Sequence, residues 1–304
     1  MNQGCTYVDW TEPPDQGVRV ADFYAARYRH STPDTWRERC LSGEISCDGA
    51  LLSPDKPLRA GMRLQWKRPP WEEPPAPLDF PVLYEDDAMI AIDKPSGLPV
   101  LPAANYLEHT VLRLARKRWG DPPPAPVHRL GRGTSGLLLL ARSETARREL
   151  TAQFRDTTLR FEGIVRKRYR AVTGPATHLP DAFEVDTPIG RLPHPRLGHV
   201  HAATPGGKPS RSHVSLVRRR ADRAIWEIDL LTGRPHQIRI HLAAAGAPLL
   251  GDPFYGPGGL PREDAPDANP GDCGYLLRSC SLVVLHPNTH TPIHLAAPQL
   301  PEYR

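Results

Sequence analysis

Three short basic segments hold the side chains able to do chemistry in this 304-residue chain. The first, Pro126 to Arg142 (PVHRLGRGTSGLLLLAR), runs a glycine-punctuated basic loop straight into an apolar run. A rigid strand behind an irregular loop can present that loop to a ligand. Arg129 and Arg132 could then bind phosphate or displace a base, with the hydroxyls of Thr134 and Ser135 as anchors. An ordinary glycine-rich turn accounts for the same letters. The second segment, Leu231 to Gly256, puts Arg234 ahead of a helical run in which His236 and Arg239, three apart, share a face. The free N–H groups and positive dipole end of that helix, beside Arg234, suit an anion. Arginines that merely pair with acids are the bland reading. His236 and His241 fall apart around the helix, which argues against a zinc pair. In the third segment, IVRKRYRAVTG (Ile164 to Gly174), basic residues alternate with apolar ones around Tyr169. A tyrosine flanked by arginines on a strand suits stacking of an unpaired base with phosphates alongside. Taken alone, the segment fits a strand aromatic packed on the core better.

The elements that must position these groups follow from periodicity. GLLLLAR reads as a buried strand and SETARRELTAQFRD as a helix capped by Ser143; VLYEDDAMIAIDK reads as two strands around an acidic turn. Thr110 to Trp119 makes a basic helix with Val111, Leu114, Ala115 and Trp119 inward. Ser212–Val217 and Ile225–Leu231 alternate with period two and predict a hairpin with one wet face. RPHQIRIHLAAAGAP is a helix that opens at proline and stops at Gly246 and Pro248. Pro257 to Asp272 has no periodicity and is expected to be a mobile surface loop. Between Arg68 and Pro81 the prolines forbid helix and central strand, which marks a boundary. Upstream, Val18 to His30 reads as an amphipathic helix, with GEISCDG and LRAGMRLQW as short strands. Strands without regular βαβ alternation predict an α+β fold, a central mixed or antiparallel sheet flanked by helices. The expected division is a small α/β domain at 1–70, a linker at 71–80 and a larger domain at 81–304.

Composition narrows the partners. Hydrophobic residues at 39% and charged residues at 24% argue against wholesale disorder. The net charge of +5 is mostly arginine, for lysine occurs only at Lys56, Lys67, Lys94, Lys117, Lys167 and Lys208. Arginine grips phosphate bidentately and stacks on bases, so a polyanion is the favoured partner. No apolar run is long enough to span a bilayer and the opening residues do not read as a signal peptide, so a cytoplasmic protein without membrane contact is expected. Cys5, Cys40, Cys47, Cys273 and Cys280 include no C-x-x-C pair and read as reduced thiols, with neither a disulfide framework nor a metal cluster.

Taken together the strings DKPSGLPV (Asp93 to Val100), HRLGRGTSGLLLLAR (His128 to Arg142), KRYRAVTG (Lys167 to Gly174), DTPIGR (Asp186 to Arg191) and TGRPHQIRIHL followed by GDPFYG resemble, in this order, RluA-type RNA pseudouridine synthases. The likeness runs from Phe80 to Pro298, and the first 70 residues resemble an S4 RNA-binding domain. The resemblance implies an enzyme that detaches uracil from its ribose within RNA, turns the base and rejoins it through carbon, without metal or organic cofactor. It implies that Tyr169 stacks on the target base and serves in proton transfer, that Arg239 pairs with a catalytic aspartate, and that Arg129 helps extrude the nucleotide. Arg132, Lys167, Arg234 and His236 are then candidate RNA contacts. Ribosomal or transfer RNA is the implied partner, DNA is not, and a monomer is expected.

The family's loop reads H-R-L-D-x-x-T-S-G, and this chain has Gly131 at the aspartate. Glycine offers neither nucleophile nor base. Either another carboxylate reaches the site, with Asp93, Asp156 and Asp252 nearest to recognisable motifs, or the scaffold binds and folds RNA without isomerising it. Asp252, inside GDPFYG, also reads as a structural hydrogen-bonder. Arg239, deprived of its expected partner, must find another acid, stay hydrated or bind phosphate.

Overall fold

The prolines between Arg68 and Pro81 leave that stretch without helix or strand, and the chain divides within it into units Met1–Glu73 and Pro74–Arg304. The computed structural model describes residues 1–28, 30–160 and 164–303, with the backbone alone at 158–160.

In the first unit, β1 (Cys5–Trp10), α1 (Val20–Arg27), α2 (Pro33–Leu41), β2 (Ile45–Cys47), β3 (Ala50–Leu51) and β4 (Arg63–Arg68) build an antiparallel sheet in the order β1-β4-β2-β3. Both helices bury Val20, Tyr24 and Trp36 against Ile45, Leu64 and Trp66 of the sheet. Sequence periodicity misses α2 because only Trp36 and Cys40 point inward. Its start is nonetheless well marked: Thr32 Oγ1 accepts from the Thr35 N–H at 3.2 Å, and Pro33 opens the first turn.

The second unit continues with β5 (Val82–Glu85), β6 (Met89–Lys94), α3 (Val111–Trp119), β7 (Ala125–Pro126), β8 (Ser135–Ala141), α4 (Glu144–Arg160) and β9 (Arg166–Thr173). It is completed by β10 (Ala182–Val185), β11 (Ile189–His194), β12 (Gly198–Ala203), β13 (Ser212–Arg219), β14 (Ala224–Leu230), α5 (Gln237–Ala244), β15 (Tyr255–Gly256), β16 (Leu260–Pro261), β17 (Leu277–Leu285) and β18 (Pro292–Ala296). The main sheet runs β10-β13-β14-β9-β17-β8-β6-β5, with β18 beside β17 and β7 beside β8. Its β17–β8 pair is parallel and the others are antiparallel, so the sheet is mixed as expected.

Every residue of β8 is buried, and alternation sends its leucines to both faces. Leu138 and Leu140 join Tyr169, Val111 and Ala115 of α3, and Ile238 and Leu242 of α5. Leu137 and Leu139 join Ala146 and Leu150 of α4 on the other face. Helices therefore flank the sheet on both sides. Ser143 caps α4, accepting from the Ala146 N–H at 3.1 Å. Among the described residues no helix is long and apolar enough to cross a membrane, and all five cysteines are free.

Candidate active site

The turn before β8 is shaped by the segment DKPSGLPV. Lys94, wholly buried, donates from Nζ to the carbonyls of Pro95 and Leu98 at 2.8 Å and of Arg132 at 3.2 Å. Burial pulls this amine down to about 7, while three carbonyl acceptors match the three N–H donors of its charged form. Ser96 Oγ donates to the Gly133 carbonyl at 2.8 Å, and the Thr134 N–H closes the turn onto the Gly131 carbonyl at 3.0 Å.

Space, and not backbone conformation, disfavours a side chain at 131. Its φ lies outside the left-handed region, but a Cβ there would stand 3.0 Å from the hydroxyl oxygen of Tyr275 and 3.4 Å from Thr134 Oγ1. At Gly133 a Cβ would meet the Tyr275 ring at 2.9 Å. Tyr275 is 4% exposed whereas Gly131 is exposed, so the turn forms the outer rim over a buried phenol.

Beneath that phenol lies Arg239, its guanidinium carbon 4.2 Å from the Tyr275 ring centroid and 4.8 Å from that of Tyr255. Arg239 has found another acid. Nε and Nη2 donate to the two oxygens of Asp252 at 2.7 and 2.8 Å, and Nη1 donates to the Pro270 carbonyl. Asp252 Oδ1 also accepts from the N–H groups of Phe254 and Tyr255, as a structural hydrogen-bonder would. The other two acids are elsewhere. Asp93 stands opposite Leu137 in the β6–β8 ladder, on the face away from Tyr169, and binds Arg278 at 2.7 Å. Asp156 is a surface residue of α4 beside Arg155.

Tyr169 sits mid-strand on β9 in the same apolar cluster as Leu130, Ile238, Tyr275 and Leu277. Burial pushes its phenol up to about 12 against a hydrogen bond with Ser279. At 7% exposure its ring has no open face, so a base can stack there only when the side chains over it part. Two cavities adjoin this cluster. One of about 570 Å³ is lined by Leu249, Asp252, Tyr255 and Arg262 among others, and one of about 470 Å³ by Arg166, Lys167, Asp229 and His294 among others. Gly131, Tyr169 and Arg239 line neither.

The candidate RNA contacts divide sharply. Arg129 is exposed and carries no hydrogen bond or ion pair among the described residues. Arg132, by contrast, donates to the Gly271 carbonyl and Tyr106 hydroxyl, each at 3.0 Å, and to Asp272 at 3.4 Å. Lys167 is buried, donates to the Thr232 carbonyl at 3.4 Å and is drawn down to about 8 by desolvation. Arg234 donates from Nε to the Pro209 carbonyl at 3.1 Å. Helix α5 begins at Gln237, later than the proline predicts, because His236 takes a left-handed conformation (φ 55°) as its cap. The Gln237 side chain accepts from the Arg234 N–H and the Thr232 hydroxyl just ahead of the helix. His236 shares a 2.7 Å hydrogen bond with the Tyr255 hydroxyl and is held neutral, near 3, by burial and by Arg239. The expected mobile loop is pinned: Arg239 and Arg132 hold its end, and Arg196 donates to the carbonyls of Pro266, Asp267 and Ala268.

Sequence reasoning missed Tyr275, which lies 144 positions from Gly131 in no recognisable motif. The alternation Gly131-Arg132-Gly133 was the available signal, two missing side chains on one side of a turn.

A family model described as RNA pseudouridylate synthase matches residues 88–244. Over 283 residues the chain is 48% identical to an uncharacterized RNA pseudouridine synthase of Synechocystis, covering 93% of this chain and 94% of the relative. It is 38% identical to RNA pseudouridine synthase 5 of Oryza sativa, covering 98% and 87%. Among solved structures, human RNA pseudouridylate synthase domain containing 1 superposes with a TM-score of 0.59 at 20% identity, over 77% of this chain and 89% of that one, which is a likeness of fold. Sheet, motif order and near full-length identity converge, and the chain belongs to the RNA pseudouridine synthase family.

Proposed function

We propose that this protein isomerises uridine to pseudouridine within RNA. One observation supports the reading: Tyr275, which packs on Arg239 and lies under Gly131, belongs to the same apolar cluster as Tyr169, in a chain nearly half identical to a relative named for that activity. The reaction breaks the C1′–N1 bond of a uridine, turns the uracil and forms C1′–C5, the C5 proton ending on N1. Tyr169, kept neutral by burial, offers its ring to the base and its hydroxyl as a proton donor. Asp252 keeps Arg239 charged and oriented beneath Tyr275. Exposed Arg129, at the rim, is positioned to meet phosphate. The first unit, whose two helices and sheet suit the S4-like reading, adds RNA affinity.

The test is to incubate the purified protein with uridine-labelled ribosomal and transfer RNA, digest to nucleosides and separate them. Labelled pseudouridine is expected in at least one fraction. Salt-sensitive RNA binding without that product in either would replace this reading by a non-catalytic RNA-binding protein on the same scaffold.

A further inference from the structure

Against the position at which the family resemblance expects a carboxylate stands, in this chain, the hydroxyl of Tyr275 from the segment just ahead of β17. A side chain starting at residue 131 would run into the Tyr275 oxygen only 3.0 Å from its Cβ. That oxygen is not placed by chance packing. Thr134 Oγ1 holds it at 3.3 Å, and the ring is clamped between the glycine pair above and the Arg239 guanidinium below. Arg239 is itself immobilised by both oxygens of Asp252. The phenol oxygen is thus held directly under the exposed Gly131, 3.0 Å from where a side chain there would begin.

We propose that Tyr275 is a catalytic residue of this chain, its hydroxyl standing in the space vacated at position 131 and donating a hydrogen bond to the negative charge that develops on uracil. The inference rests on the isomerase reading above. As the C1′–N1 bond breaks, its electron pair leaves with the base, and a preorganised neutral donor in a water-poor site stabilises that charge most. Burial raises the Tyr275 pKa, which keeps the donor protonated, although the nearby Arg239 works in the opposite direction. No proton leaves Tyr275 in this role. When C5 attacks C1′ the same electron pair is restored to carbon, and the hydrogen bond is released.

Two variants read the hydroxyl separately from the ring. Tyr275→Phe keeps the platform over Arg239 and removes the donor; we expect kcat for pseudouridine formation to fall about 100-fold, as for loss of one oxyanion-type donor, with RNA affinity within about 2-fold. Gly131→Ala is compatible with the backbone but places a methyl against the hydroxyl, and about a 10-fold loss is expected, less than the roughly 100-fold that a 1 Å misplacement can cost. In the Tyr275→Phe background the same methyl should cost nothing further, since neighbours acting through one atom are not additive. Should Tyr275→Phe fail to fold, Gly131→Ala and Thr134→Val, which frees the hydroxyl from its holder, must each lower kcat without changing RNA affinity. An active parent with unimpaired Tyr275→Phe, or a Gly131→Ala loss that persists when the hydroxyl is gone, overturns the role of Tyr275 alone. An inactive parent overturns the isomerase reading, and this inference with it.

Discussion

Arg239 and Arg278 are both 2% exposed and both paired with a carboxylate 2.7 Å away, yet they are built differently. Arg239 engages Asp252 with two nitrogens and spends its third on the Pro270 carbonyl, and the acid accepts two backbone N–H groups besides. Arg278 touches Asp93 through Nη2 alone; its Nε and Asp93 Oδ1 are buried without partners among the described residues. The two pairs lie on opposite faces of one sheet. The closed pair joins α5 to the 251–255 turn and to the loop end at Pro270, whereas the open pair ties β6 to β17 and leaves polar atoms unmet. Satisfied geometry here marks the joint that the candidate site stands on.

The sharpest way to break this comparison is to remove one acid from each pair. Asp252→Asn leaves a buried guanidinium uncompensated and is expected to cost about 3–5 kcal/mol, read as a lower urea midpoint. Asp93→Asn should cost less, about 1–2 kcal/mol, because one oxygen already lacks a partner and a fully paired group has more to lose. Equal losses would show that the difference in hydrogen bonding has no energetic content.

Next in size is the fit between Gly131 and Tyr275. Gly131→Asp restores the family's residue but drives a Cβ toward the Tyr275 oxygen, and overpacking of this kind costs about 1–3 kcal/mol. Removing that oxygen opens the space, since no ring atom of Tyr275 lies within 4 Å of the Cβ position. The double variant Gly131→Asp with Tyr275→Phe should therefore melt above Gly131→Asp alone. A double variant no more stable than the single one would mean that the turn, not the hydroxyl, resists the carboxylate.

A third acid extends the comparison to solvent. Asp86, 28% exposed, is pushed up by burial, but donors from Tyr84, Met89, Ala88 and His286 overcome this and hold it at about 2. The folded value lies below the ordinary carboxylate value near 3.9. Its stabilisation is thus present above about pH 4 and is lost as pH falls through 2. Allowing for solvent screening it amounts to about 1–2 kcal/mol. Asp86→Asn should be less stable than the parent at pH 7, with the gap narrowing through pH 2 and closing near about pH 1; a gap that does not narrow would assign the loss to packing.

What could be read from the letters follows the same division between local and distant partners. Period-two and helical spacing placed β8, α3, α4 and the β13–β14 hairpin, because each of these buries a face set by its own sequence. Strands β10 to β12, β17 and β18 escaped notice, since their pairing partners lie far along the chain and their own alternation is interrupted by proline, glycine or arginine. At the site, Tyr169 and Arg239 are recognisable within short strings. Asp252 as the partner of Arg239, and Tyr275 beneath Gly131, depend on contacts that no local pattern encodes. The loop at 257–272 carries no local signal of order because the arginines that pin it, Arg132, Arg196 and Arg239, lie 31 to 140 positions away.

The smallest expected effects separate two arginines of the same turn. Arg132 is committed to Tyr106, Gly271 and Asp272, so Arg132→Ala should loosen the loop end and lower stability by about 1–2 kcal/mol, the sum of a few partly exposed hydrogen bonds. Arg129 gives up no contact when truncated, so Arg129→Ala should leave the melting temperature unchanged. Its effect should appear only with RNA: a modest loss of affinity and a salt dependence whose slope falls by about one phosphate contact. Titrating both variants with the same RNA across a salt series separates the two roles, for a residue that acts through the loop changes affinity without changing the slope. An unchanged slope in Arg129→Ala would remove the one unengaged arginine of the turn from the RNA interface.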